Sequence, residues 1–327
     1  MIKFTPPTSP DSSQSTKYRN PHFDTMKGIG ILLVIIGHQD GVPVPLKHFI
    51  YAFHMPLFFI LAGCFYKPKD ITKQLFSDFQ RLVLPYLLFS LFFLIVPLAK
   101  LYLKHDSEPI SDVAWGIFHG DIGPIWFLLA LFWCKTIYNL AYRVISDMWI
   151  LFPLLLIISY GGVLAYNSGL FNPLSLYQGC SALVFYLVGS GLYKLRDTNS
   201  TIAHYIILGL AIVYIVGGYG FPMDMLTCNY SCIIVNFLSG LGGTILLYIV
   251  VTNTISGNNI LTKIGVLSLP ILCFHTLERG TPVGFFWSYI SDWHWTVQLC
   301  IRITFIMTSV ILSMRLKYIR ELFKICI

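Results

Sequence analysis

Three histidines and an arginine interrupt long apolar stretches of this 327-residue sequence: His38, His54, His275 and Arg302. An ionisable group inside a membrane costs about 2.5–3.5 kcal/mol at a helix centre and is a functional candidate by default. Imidazole exchanges protons near neutral pH, so the chemistry on offer is general acid–base work or a proton relay. Glu278 and Arg279 follow His275 closely and are expected at the outer mouth of the same helix. Asn236 is expected near the same depth. Lys27 precedes His38 by eleven residues, about three turns of helix at 3.6 residues per turn, so both point the same way. Gly28, Gly30 and Gly37 accompany them and allow close approach of a neighbour or a ligand. A single intramembrane His is more often a structural residue bonded to a neighbouring helix. Three at one level with an arginine point instead to a site.

Helices must bring these residues together. Hydrophobic residues make up 56% of the chain and charged residues 11%, against about 45–50% and 25% in globular domains. That balance excludes a soluble enzyme, a disordered chain and a nucleic-acid-binding domain. Eight cysteines show neither a disulfide framework nor a zinc spacing, and no metal is expected. Residues 1–22 are polar, rich in Pro, Ser and Thr, and read as a disordered cytoplasmic tail. Ten apolar runs follow, at roughly 24–41, 46–66, 82–100, 124–142, 148–166, 174–193, 202–219, 230–251, 262–277 and 296–314. Each approaches the 17–25 residues that a membrane crossing needs. With both termini in the cytoplasm, seventeen of the 22 basic residues fall inside. Only Lys47, Lys100, Lys104 and Arg279 fall outside, and Arg302 lies within a span. This bias is the positive-inside pattern. The expected fold class is therefore an all-α integral membrane protein of about ten transmembrane helices, with 23–327 forming one domain.

In this layout the three histidines and Arg302 lie about 18–21 Å above the inner face, at 1.5 Å per residue. The outer segment 101–123 reads as a loop. Trp126, Trp149, Tyr193, Trp287, Trp293 and Trp295 read as an interfacial aromatic belt. Cys228 and Cys232 read as neighbours on one helix.

Several stretches resemble one family in order along the chain. FDTMKGIGILLVIIGH (23–38) resembles the first helix of the acyltransferase family 3 membrane proteins. YAFHMPLFFILAGCFY (51–66) resembles the second, and QRLVLPY (80–86) the Arg-then-Pro entry to the third. GPIWFL (123–128) and GVLSLPILCFH (265–275) resemble the fourth-helix and late Ser-to-His stretches. Lys27 stands where the family commonly has Arg; its K-G-I-G-I context resembles the sugar O-acetyltransferase branch, including fucose-acetylase-like proteins.

The resemblance implies acetyl-CoA as donor on the cytoplasmic side. It implies a hydroxyl of a surface polysaccharide or glycolipid as acceptor, in a bacterial inner membrane. His38 is then the general base, with Glu278 or His275 orienting it or the sugar, and Arg302 or His54 facing the oxyanion. Lys27, Arg81, Arg143 and Lys67 or Lys73 would meet the CoA phosphates. Ser268 is set too deep to pair with His275 as a nucleophile. The rival class is a multi-pass transporter or exporter with a His/Arg relay. No internal repeat of the kind found in transporters is visible.

Overall fold

The computed structural model describes residues 20–104, 110–145, 147–192, 201–255, 259–280 and 283–324. Lys3, Lys17 and Arg19 of the tail, Tyr193, Lys194 and Arg196, and the side chains of Lys100 and Lys104 lie outside the description. Of the described residues, 82% are helical.

Helix α1 runs Pro21–Gly37. Asn20 caps it by accepting the His22 amide at 3.0 Å, with Pro21 in the first turn, where its missing N–H costs nothing. Its C-terminal end comes at Gly37 rather than at 41, and His38 is the capping residue. Gly41 at φ +79° and Pro43 turn the chain there. Next come α2 (Val44–Tyr51), α3 (His54–Cys64) and α4 (Ile71–Asp78). A π-turn over Phe79–Val83 leads into α5 (Leu84–Lys104). Segment 101–123 is more than a loop: α6 (Ile110–His119) lies in it, held by the Tyr86 hydroxyl donating to the Ile117 carbonyl at 2.8 Å.

Helices α7 (Trp126–Val144), α8 (Met148–Asn167), α9 (Leu176–Ser181), α10 (Leu183–Leu192) and α11 (Thr201–Gly220) follow. A hairpin of β1 (Met223–Asp224) and β2 (Asn229–Tyr230) then pairs Met223 with Tyr230 and Asp224 with Asn229, antiparallel. The chain finishes with α12 (Ile233–Asn253), α13 (Asn259–Val266), α14 (Ser268–Gly280), α15 (Val283–Tyr289), α16 (Trp295–Ser313) and α17 (Lys317–Lys324).

Among the described residues six helical stretches are long and apolar enough to cross a membrane. The bent pair α13–α14 makes a seventh if it counts as one span. The protein is thus an all-α multi-pass membrane protein. The other runs are helical too, but α1 is short, and α9 and α10 are separated by a break at Ala182.

Two breaks share a cause. The second run splits at Ala52–Phe53, and α13 meets α14 at 73°. Each break has a proline four residues downstream, Pro56 after Ala52 and Pro270 after Val266. A proline lacks the N–H for that carbonyl, and its ring crowds it. The breaks place His54 at the first residue of α3 and His275 in the second turn of α14.

Helix α1 packs on α13 and on α3, and α14 packs on α16, α5 and α1. The α1–α13 crossing is backbone to backbone. A Cβ at Gly28 would collide with the Leu261 carbonyl, and one at Gly265 with the Asp24 carbonyl. Gly63 and Gly189 do the same between α3 and α10. Close crossing through small residues compensates for the weak hydrophobic drive between helices in lipid.

Candidate active site

His38, His54 and Tyr51 line one cleft. Val34, Met55, Trp126 and Leu272 also line it, and Asp224, Met225 and Leu226 of the hairpin segment border it. The Tyr51 ring neighbours both imidazoles, with centroids 6.2 Å from His38 and 5.0 Å from His54. A second, apolar cleft adjoins it through Val34, Met55 and Leu272, and Ser268 is on its lining.

Hydrogen bonds set the tautomers. His38 Nδ1 meets the Val34 carbonyl at 2.7 Å, and His54 Nδ1 meets the Ile50 carbonyl at 2.8 Å. A carbonyl only accepts, so each Nδ1 carries the hydrogen and each neutral ring keeps a lone pair on Nε2. The Arg279 guanidinium, on the exposed end of α14, donates to the His38 carbonyl at 2.6 Å. That ties the end of α1 to α14.

Behind His38 runs a buried polar chain. The His38 and His275 rings meet edge to face at 5.5 Å. His275 Nδ1 donates to Glu278 Oε1 at 3.1 Å, and Glu278 Oε2 lies 3.5 Å from Arg302 Nε. The Arg302 guanidinium stacks 4.8 Å over Trp287, whose Nε1 donates to the Glu278 carbonyl at 3.2 Å. His275, Glu278 and Arg302 are all buried. Among the described residues, His275 Nε2, Glu278 Oε2 and Arg302 Nη1 have no hydrogen-bond partner. Buried polar atoms are nearly always satisfied. Several left open in one chain mark a polar site rather than plain structural bonding.

The expected cytoplasmic cations are more dispersed. Arg143 donates to the Lys69 carbonyl at 3.2 Å and lies 3.6 Å from Asp70 Oδ2. The Thr72 hydroxyl and the Lys73 amide, both donating to Asp70, hold its carboxyl below the usual carboxylate range. Arg81 sits in the π-turn, next to the buried Asp78 that pairs with Lys135. Lys67 and Lys73 are exposed. Lys27 pairs with Asp24 on its own helix at 3.3 Å and lies 5.4 Å over the Phe65 ring.

A family model described as an acyltransferase domain matches residues 20–315. The chain belongs to acyltransferase family 3. Neither a curated protein nor a solved structure matches it.

In this acyltransferase, four of the residues singled out from sequence form one chain: His38, His275, Glu278 and Arg302. His54 joins His38 in the cleft, while Arg302 is not among the cleft-lining residues. Several sequence expectations need correction. Glu278, one turn from His275 on the same face, is buried rather than open to the surface, whereas Arg279 is exposed. Trp126 is not a belt residue, since it is buried against the cleft, while Trp287 is half-buried over Arg302. Asn236 is a local brace that accepts the Cys232 amide and donates to the Phe221 carbonyl. Cys228 lies in the hairpin at φ +46° and Cys232 caps α12, so they share no helix, and both are free thiols.

Tyr51 and Asp224 were missed as site residues. Tyr51 sits three residues before His54 and was legible as its helical neighbour. Asp224, in a short loop more than 180 residues from His38, carries no local signal.

Proposed function

We propose that this acyltransferase moves a short acyl group, acetyl first, from acyl-CoA at the cytoplasmic face to a hydroxyl of a cell-surface glycan or lipid-linked sugar. The observation that carries this reading is the chain Arg302–Glu278–His275–His38 ending at a cleft, in a member of this family. His38 Nε2 takes the proton of the acceptor hydroxyl as its oxygen attacks the thioester carbonyl. The resulting tetrahedral adduct expels CoA as thiolate, which takes the proton back from His38, leaving an ester and free CoA. The Glu278 carboxylate, reached through His275, offsets the imidazolium charge that forms in between. Arg302 holds Glu278 in place. With Nδ1–H spent on Ile50, a neutral His54 presents only an acceptor and serves the acceptor hydroxyls rather than an oxyanion.

The adjoining apolar cleft suits the acyl thioester and the end of its pantetheine arm. Lys27, Arg81, Arg143, Lys67 and Lys73 supply cations for the CoA phosphates at the inner face. This arrangement goes with ten spans, both termini inside, one domain over 23–327, and a bacterial inner membrane. The donor and the acceptor then approach one site from opposite faces.

Membranes carrying the protein, given radiolabelled acetyl-CoA and envelope glycan from cells lacking the gene, test the reading. Label in the glycan, lost in His38→Ala at equal expression, supports it. Wild-type membranes that leave the glycan unlabelled refute it.

A further inference from the structure

The hairpin segment between α11 and α12 borders the His38 cleft. Asp224 and Leu226 line the cleft, with Met223 and Met225 buried beside them. Asp224 Oδ1 accepts the Leu226 amide at 2.9 Å, which fixes the orientation of the carboxylate. Elements on both sides secure the turn. Gln178 Nε2 donates to the Leu226 carbonyl at 2.8 Å, the Tyr230 hydroxyl bonds Ser181 Oγ at 3.1 Å, and Asn236 Nδ2 donates to the Phe221 carbonyl at 2.7 Å. Among the described residues Asp224 has no cationic partner. A carboxylate oriented by its own turn, without a cationic partner among the described residues, and placed on the same cleft as two imidazoles and the Tyr51 ring can accept hydrogen bonds from a ligand.

We propose that Asp224 is the acceptor-recognition residue. It accepts a hydrogen bond from a hydroxyl neighbouring the one that His38 deprotonates, and it selects neutral polyhydroxy acceptors over those carrying a carboxylate at that position. The inference rests on the acyl-transfer reading above. The aromatic faces of Tyr51 and Trp126 on the same cleft suit the apolar face of a sugar ring. A uronic acid would bring a second carboxylate against Asp224, and like charges at close range are unfavourable.

The test compares wild type, Asp224→Asn and Asp224→Glu in membranes with radiolabelled acetyl-CoA. The acceptors are envelope glycan from cells lacking the gene, methyl glucoside and methyl glucuronide. For Asp224→Asn the acceptor KM is expected to rise about tenfold or more, the scale of one hydrogen bond to a charged group. The donor KM and the acceptor-independent hydrolysis of acetyl-CoA stay unchanged, and the preference for glucoside over glucuronide narrows. If Asp224→Asn does not fold, Asp224→Glu carries the test, because its longer arm moves the oxygens and raises the acceptor KM alone. An unchanged acceptor KM, with wild type labelling glycan, overturns the assignment of Asp224 and leaves acyl transfer standing. Wild type that labels no acceptor overturns both.

Discussion

Truncating His38 to Ala removes the one imidazole that both lines the cleft and meets His275. Acyl transfer should fall by about 10²–10⁴-fold, the usual contribution of a positioned general base. Glycan labelling at matched expression measures it, and residual activity above a tenth of wild type would remove His38 from that role. Glu278→Gln keeps the shape and deletes the charge between His275 and Arg302. Leaving a buried cation uncompensated costs about 3–5 kcal/mol, so a lowered melting temperature in detergent should accompany lost activity. An unshifted melt would mean the Arg302 charge is balanced elsewhere.

Proline-induced breaks determine where the histidines stand at the level of the helices. Pro56→Ala returns an N–H to the Ala52 carbonyl and favours one continuous α2–α3 helix. Because His54 begins α3, transfer should drop severalfold while the protein stays folded and monodisperse. Activity equal to wild type would show that the break is not needed for the site. Gly28→Ala probes the crossing that seats α1. Its Cβ would meet the Leu261 carbonyl, a backbone atom with little freedom to move. Overpacking of this kind costs about 1–3 kcal/mol, read as a lower melting temperature with a parallel loss of transfer. No change in either would mean that α13 retreats freely.

Orientation belongs to the whole molecule. The proposed ten-span layout would put Lys47 and Arg279 outside and Lys73 and Lys263 inside. Single cysteines at 47 and 73, in a background without reactive native cysteines, should divide under a membrane-impermeant maleimide on intact cells. Position 47 labels and position 73 labels only after lysis. Equal labelling of both would refute the ten-span layout and the transmembrane division of donor and acceptor. Under the proposed division, a cytoplasmic thioester would reach His38 through an apolar passage such as the cleft beside Ser268.

The sequence alone determined the solvent this chain lives in. The scarcity of charge and the length of its apolar runs are additive properties, so they survive without knowledge of contacts. It also picked out His38, His54, His275, Glu278 and Arg302, because a buried ionisable group is costly wherever it sits. Tertiary structure decided how they are joined. Glu278 became the link between His275 and Arg302 because α14 turns it toward α16, and residue spacing along one helix says nothing about its neighbour. The end of α1 at His38 followed from turn residues beyond it, where hydrophobic pattern carried on. Asp224 entered the site only through hydrogen bonds that seat its hairpin against α9 and α12. Contacts between residues far apart in sequence depend on how helices pack, and a one-dimensional pattern does not contain that information.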